Sequence, residues 1–299
     1  TWGGNQYAWT SPVIIGLGAV GAVCWGLFAF AQTRAADPIL PWSILTNRTF
    51  VVATVVGMLA MGGMIGVMGY LPTYLQMVYG YSATVSGLLL VPMTIGMLAA
   101  SILSGVLVAR NDRYRVYPVL GALIAAAGAF WLSRLTTSSP AWQPSAAIFV
   151  MGAGIGLFFQ LLVTVVQNAV PARHLGTATS GNNFFREVAV SLGVSLIGAA
   201  FSSGLTSSLA DRIGALAAGS DPTVLDSLAQ FVDADTSSLT PALVNQLPAA
   251  LRDAVASSYA DALLPIFGWM IPLFAATAVI ALFLPEVPLS RKSGMEQVA

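Results

Sequence analysis

The chain has 299 residues, of which 57% are apolar and only 8% are charged, and its formal net charge is zero. Soluble proteins carry about 25% charged residues, so this composition excludes an ordinary water-exposed fold and offers no basic surface for a nucleic-acid partner. The mean hydropathy of +0.80 predicts instead a protein that has the lipid bilayer as its solvent.

The chain begins at Thr1, without a methionine and without the basic and apolar regions of a signal peptide. We therefore expect the sequence to be part of a longer protein. The single cysteine, Cys24, lies in the first apolar segment, so an internal disulfide framework is excluded.

Seven apolar segments are long enough to cross a bilayer, which takes about 20 residues. In chain order they are 13–32, 50–75, 83–109, 116–133, 146–168, 188–205 and 263–284. No charge occurs between Arg48 and Arg110, a stretch that is long enough for two crossings. The pattern predicts an all-α membrane protein with about seven transmembrane helices.

The basic residues are distributed unequally between the two sides of the predicted membrane. Outside the hydrophilic stretch 206–262, only Arg134 lies on one side, and all the others lie on the opposite side. These others are Arg34, Arg48, Arg110, Arg113, Arg115, Arg173, Arg186, Arg291 and Lys292. The positive-inside rule then predicts that they face the cytoplasm, with the start of the chain outside and the C-terminus cytoplasmic.

This topology divides the chain into three parts. Residues 1–49 are expected to hold an outer loop, one linking span and a cytoplasmic linker. Residues 50–284 are expected to hold six spans, with 206–262 as a long outer loop, and residues 285–299 form a cytoplasmic tail. The pairs Asp-Pro at 221–222 and Thr-Pro at 240–241 are typical starts of short helices, which we expect to lie over the outer surface.

Several motifs have a structural and a functional interpretation. The G-x-G-x-x-G pattern at 16–21 matches a dinucleotide-binding fingerprint, but that fingerprint needs a preceding strand, so we attribute it to close helix packing. Gly-Ala-Gly-Ile-Gly at 152–156 predicts a small-residue face that approaches a neighbouring helix.

Asn47 begins a glycosylation triplet on the predicted cytoplasmic side. The lone His174 has no metal-binding or catalytic partner in the pattern, and we expect no enzyme activity, cofactor or metal.

Charged residues avoid the centres of all seven predicted spans. Arg186 and Glu187 lie at the cytoplasmic mouth of the sixth span, so the main proton carrier of a proton-coupled protein is expected in sequence outside this chain. Aromatic and amide residues of the second and fifth spans suit the wall of a substrate cavity. They are Tyr70, Tyr74, Gln76, Phe158, Phe159, Gln160 and Gln167. The same residues also suit interhelical packing and hydrogen bonding.

Long strings of this sequence resemble a known transporter family. They are Y-L-P-T-Y-L-Q-M-V-Y-G-Y-S at 70–82, G-A-G-I-G-L at 152–157, V-Q-N-A-V-P at 166–171 and A-T-S-G-N-N-F-F-R at 178–186. In this order they resemble the major facilitator superfamily and, more narrowly, its fourteen-span drug:proton antiporters. The resemblance implies a C-terminal half that starts in the loop before the last linking span. Six of its spans would form two inverted three-helix repeats.

The resemblance also implies a cytoplasmic gate in the loop between the third and fourth spans. Arg110 and Arg113 match the gate signature of the family, whereas Ala109 replaces its acid and Asp112 replaces a glycine. The expected gate residues are Arg110, Asp112, Arg113, Arg186 and Glu187.

The expected function is efflux of small amphipathic, cationic or neutral molecules by alternating access, driven by the proton gradient across the cell membrane. The expected partners are the bilayer, the substrate, the proton and an N-terminal half that this chain lacks. Export of an endogenous metabolite, lipid or antibiotic is an alternative with the same fold. A non-transporting membrane scaffold or receptor is an alternative of another class.

Overall fold

The computed structural model describes residues 10–35, 38, 40–111, 114–219, 241–244 and 247–286. Within these ranges all regular structure is helical, apart from turns and bends. The helices are α1 (Pro12–Arg34), α2 (Trp42–Leu45), α3 (Arg48–Tyr79), α4 (Ala83–Leu88), α5 (Val91–Asn111), α6 (Val116–Ser133), α7 (Trp142–Asn168), α8 (Leu175–Gly219), α9 (Pro241–Val244) and α10 (Ala249–Ala281). A short 3₁₀ helix, Ala172–His174, precedes α8.

Seven helical segments of the described chain are long and apolar enough to cross a membrane. They are α1, α3, α4 together with α5, α6, α7, α8 and α10. The prediction of an all-α membrane protein with seven spans is therefore confirmed, and the protein is a multi-pass membrane protein. The third predicted span is divided by a turn at Leu89 and Leu90.

The helices α3, α5, α6, α7, α8 and α10 pack into one bundle, in which α7 contacts α5, α6, α3 and α8. Glycines of α7 allow its close approach to two neighbours. A Cβ atom at Gly152 would lie 3.0 Å from Met93 Cα of α5, and one at Gly154 would lie 2.9 Å from Ala125 Cα of α6. The small-residue face predicted at 152–156 is confirmed, because a larger side chain would meet backbone on both sides.

The glycines of α1 do not have the role that the sequence suggested. No atom of the described residues lies within 4 Å of a Cβ placed at Gly16, Gly18 or Gly21, and α1 has no buried residue. The expectation of close helix packing at 16–21 is therefore wrong for this structure. The reason is that α1 lies outside the bundle, with these glycines on an open surface.

Asn47 joins the start of α3 to the end of α7. Its Oδ1 accepts hydrogen bonds from the backbone N–H groups of Thr49 at 2.9 Å and Phe50 at 3.1 Å, which is the geometry of an N-cap. Its Nδ2 donates to the carbonyl oxygen of Ala169 at 3.0 Å. The residue that begins the glycosylation triplet thus serves the packing of two helix ends.

The stretch 206–262, predicted as an outer loop with short helices, contains the ends of two long helices. α8 continues to Gly219, and its 45 residues give a length of about 67 Å, more than twice the hydrocarbon thickness of about 30 Å. α10 begins at Ala249, 14 residues before the predicted start of the last span at 263. We call residues 206–219 and 249–262 the extension pair.

Apolar contacts and one ion pair hold the extension pair together. Leu209 of α8 and Leu251 and Val255 of α10 are buried. Arg212 Nη2 lies 2.6 Å from Asp261 Oδ2. These contacts between distant parts of the chain explain why a polar stretch is helical. The helix start predicted at 240–241 coincides with α9, which begins at Pro241, and the one at 221–222 lies outside the described residues.

Candidate functional site

The most unusual side chain of the bundle is Arg186, on α8. It is buried, with 7% of its surface exposed, and its Cζ lies 3.9 Å from the centroid of the Phe159 ring of α7. A Cβ atom at Gly57 of α3 would lie 3.3 Å from Arg186 Cδ. The guanidinium side chain therefore lies where α3, α7 and α8 meet.

A buried charge needs compensation, because its transfer from water is costly. In the part of the chain that the structure describes, no carboxylate forms an ion pair with Arg186 and no hydrogen bond reaches its guanidinium. The Phe159 ring supplies a cation–π contact, which is worth about 2 kcal/mol when desolvated. This contact alone leaves the planar edge of the guanidinium, which suits bidentate binding of a carboxylate, available.

Asn182 lies one helical turn before Arg186, on the same face of α8. It is 2% exposed, and its Nδ2 donates a hydrogen bond to Thr54 Oγ1 of α3 at 2.9 Å. Its buried Oδ1 has no hydrogen-bond partner among the described residues. In the sequence Asn182 occurs only within the family string at 178–186, although an amide four residues before an arginine on a helix is a usable signal.

The seven cavity residues expected from the sequence do not form one site. Tyr74 and Phe158 have no exposed surface and belong to the hydrophobic core. A wall that faces a second half must be accessible in this half, so the burial of these two residues favours interhelical packing over a cavity wall. Both rings fill gaps between helices of the bundle, which is the packing alternative.

The other five residues are accessible but lie at different depths. Phe159 is half-buried, next to Arg186. Tyr70 and Gln76 are half-buried in α3, 13 and 19 residues beyond Gly57, which corresponds to about 20 and 28 Å along the helix. These two therefore lie toward the opposite end of the bundle from Arg186.

Two exposed amides lie on α7, the helix that carries Phe159. Gln160 follows Phe159 directly, and Gln167 is two turns further on. Gln167 Nε2 donates a hydrogen bond to Thr179 Oγ1 of α8 at 3.2 Å. This bond links α7 and α8 on the side of the bundle where Arg186 lies.

The expected gate residues are only partly described. Arg110 is exposed in the last turn of α5, and Glu187 is exposed beside the buried Arg186. Asp112 and Arg113 lie outside the described residues. Next to them, the Tyr114 hydroxyl donates a hydrogen bond to the carbonyl oxygen of Pro285, which connects this loop to the end of α10.

Known proteins that are similar to this chain are named as transporters. A sequence profile of the Major Facilitator Superfamily matches residues 2–194. An uncharacterised MFS-type transporter of Mycobacterium tuberculosis is 38% identical over 97% of this chain and 40% of its own length. The multidrug transporter protein MdtP of Bacillus subtilis is 30% identical over 99% of this chain and 57% of its own length. Multidrug resistance protein 3 of Bacillus subtilis is 29% identical over 88% of this chain and 52% of its own length.

These similarities fit the observed architecture. The chain spans about half the length of the curated relatives that it matches. The relatives are transporters and not enzymes, and the profile match extends over more than half of the chain. With its seven membrane-spanning helices, this chain belongs to the Major Facilitator Superfamily.

Proposed function

We propose that the complete protein is a proton-driven exporter of small amphipathic molecules and that this chain is the C-terminal part of a fourteen-span transporter. The observation that carries the proposal is the buried Arg186, which stacks on Phe159 and forms no salt bridge within the described residues. The names of two relatives, a multidrug transporter protein and a multidrug resistance protein, support the substrate class.

Arg186 is proposed to bind a carboxylate or the end of a helix in the N-terminal half. This contact would form in one state of an alternating-access cycle and break in the other. Arg110, Asp112, Arg113 and Glu187 would complete a gate on the cytoplasmic side. Asp112 and Arg113 are assigned from sequence alone.

The cavity wall of this half is proposed to consist of the accessible members of the expected set. They are Tyr70, Gln76, Phe159, Gln160 and Gln167. Their aromatic faces and amides suit solutes that are partly apolar. Since no Asp or Glu is buried among the described residues, the proton carrier is proposed to lie in the N-terminal half.

Replacement of Arg186 tests the proposal. Removing one partner of a buried charge pair costs about 2–5 kcal/mol, so Arg186→Ala should lower efflux by more than about tenfold. Arg186→Lys keeps the charge but loses the planar group, and should retain part of the activity. The measurement is pH-gradient-driven transport of ethidium by the reconstituted full-length protein.

Arg212→Ala provides a matched control, because Arg212 is an exposed arginine of the same helix. It should transport normally, since exposed ion pairs contribute at most about 1 kcal/mol. Normal efflux by Arg186→Ala, with normal insertion into the membrane, would exclude Arg186 from the transport mechanism.

A further inference from the structure

A crevice of about 560 Å³ lies between α1 and the first turns of α8. Three aromatic rings form much of its wall: Trp25 and Phe28 of α1 and Phe184 of α8. The hydroxyl groups of Thr177 and Ser180 lie among them. The site described above does not include this crevice.

The size and chemistry of the crevice fit a small molecule. Small-molecule sites have volumes of about 300–1,000 Å³ and apolar or aromatic walls with a few polar groups. The Trp25 and Phe184 ring centroids are 5.9 Å apart at an interplanar angle of 49°, and those of Trp25 and Phe28 are 6.2 Å apart at 84°. Rings inclined at such angles present both their faces and their edges to a planar ligand.

The crevice lies between two helices that are long and apolar enough to cross a membrane. Trp25 is nine residues before Arg34, which places it about 13 Å from the basic end of α1. At that end Leu40 lines the crevice, with its Cδ2 2.6 Å from the position that a Cβ would take at Gly181. Leu40 and Gly181 therefore form the part of the crevice nearest the linker.

The crevice residue Phe184 is close in sequence to Arg186 on α8. The Phe184 ring lies 5.6 Å from that of Phe185, and Phe185 directly precedes Arg186, which stacks on Phe159. Because residues two apart on a helix do not share a face, the crevice and the Arg186 site lie on different faces of the same stretch of α8.

We propose that this crevice binds planar, amphipathic aromatic molecules that reach it from the leaflet nearest Arg34. Within the proposed function it is an access site for substrates that are dissolved in the membrane. The direction of transport rests on that proposed function, whereas binding to the crevice does not depend on it.

Photolabelling of the full-length protein in lipid nanodiscs tests the site. The probe is ethidium monoazide, a planar aromatic cation that reacts with contacting residues on illumination, and labelled peptides are identified by mass spectrometry. Labels should concentrate on residues 24–28 and 177–184. Unmodified ethidium at ten times its Kd should reduce this labelling about tenfold, by mass action.

Two variants that each introduce a tryptophan separate the crevice from general lipid exposure. Ser180→Trp fills the crevice and should abolish the labelling that unmodified ethidium reduces. Leu123→Trp places the same side chain on α6, where Leu123 is 51% exposed, and should leave the labelling unchanged. If Ser180→Trp does not fold, Phe184→Ala is used instead. It removes one ring and should weaken ethidium binding about two- to tenfold.

Labelling that is spread over all lipid-exposed segments and is not reduced by ethidium would overturn the proposal. So would a co-purified phospholipid that native mass spectrometry finds in the crevice and that ethidium does not displace. If the protein does not transport ethidium but is labelled at the crevice, and unmodified ethidium reduces that labelling, this inference stands and the proposed function is excluded.

Discussion

Asn182 and Thr54 form a buried side-chain hydrogen bond between α8 and α3, one turn from Arg186. The bond uses one donor of the amide, while the Asn182 Oδ1 is unpartnered among the described residues. An unmade hydrogen bond in a buried site costs free energy. The pair therefore positions α8 against α3 next to Arg186, and it leaves the acceptor oxygen of the buried amide without a partner.

A double-mutant cycle measures the coupling energy between Asn182 and Thr54. Thr54→Val leaves the buried Asn182 amide without an acceptor and should lower the free energy of unfolding by about 1–3 kcal/mol. The double variant Thr54→Val with Asn182→Leu removes both polar groups and should recover most of that loss. The measurement is denaturant unfolding of the full-length protein in detergent, and a loss in the double variant equal to the sum of the single losses would contradict the interpretation.

At the scale of elements, α7 is the central helix of the bundle because its glycines admit two neighbours. The Cβ positions at Gly152 and Gly156 meet α5, and the one at Gly154 meets α6. In a bilayer, helices associate through van der Waals packing rather than through a hydrophobic driving force. The close fit of α7 is therefore a main source of stability for these three helices.

Alanine at Gly154 should be strongly destabilising, because its Cβ would lie 2.9 Å from Ala125 Cα and closer still to backbone nitrogen and oxygen atoms. Overpacking of this kind costs about 1–3 kcal/mol. Gly105→Ala in α5 is the control, since nothing described lies within 4 Å of its Cβ. The control should be neutral or more stable by about 0.5–1 kcal/mol. Thermal unfolding of both variants gives the comparison, and equal stabilities would contradict the packing argument.

At the scale of the whole molecule, α1 is separate from the bundle and the extension pair continues beyond the predicted spans. α1 contacts α8 through Trp25 and Phe184. Since α1 buries none of its own residues, it depends on lipid or on other protein segments for its surroundings. The bundle itself is held together by contacts that run from α3 to α10.

The positive-inside rule gives a whole-molecule prediction, with the Arg34 side of the membrane in the cytoplasm. In a full-length protein whose other cysteines are replaced, Thr137→Cys should react with a membrane-impermeant maleimide added to intact cells. Ala172→Cys should react only after permeabilisation. Both positions are exposed in turns or short helices between spans. The reverse pattern of labelling would invert the topology and place the proposed gate outside.

The number of spans and the small-residue face of α7 follow from the sequence alone, because hydropathy, segment length and glycine spacing are local properties. The open glycines at 16–21 show the limit of this reasoning, since glycine spacing predicts packing only where a partner helix is present.

Tertiary structure decided which side chains meet. It buried Tyr74 and Phe158 and placed Arg186 over Phe159. It also paired Asn182 with Thr54, 128 residues away, and joined the extension pair through Arg212 and Asp261. Each of these outcomes depends on contacts between distant parts of the chain, and the periodicity of a single span contains no information on which helix will lie opposite it.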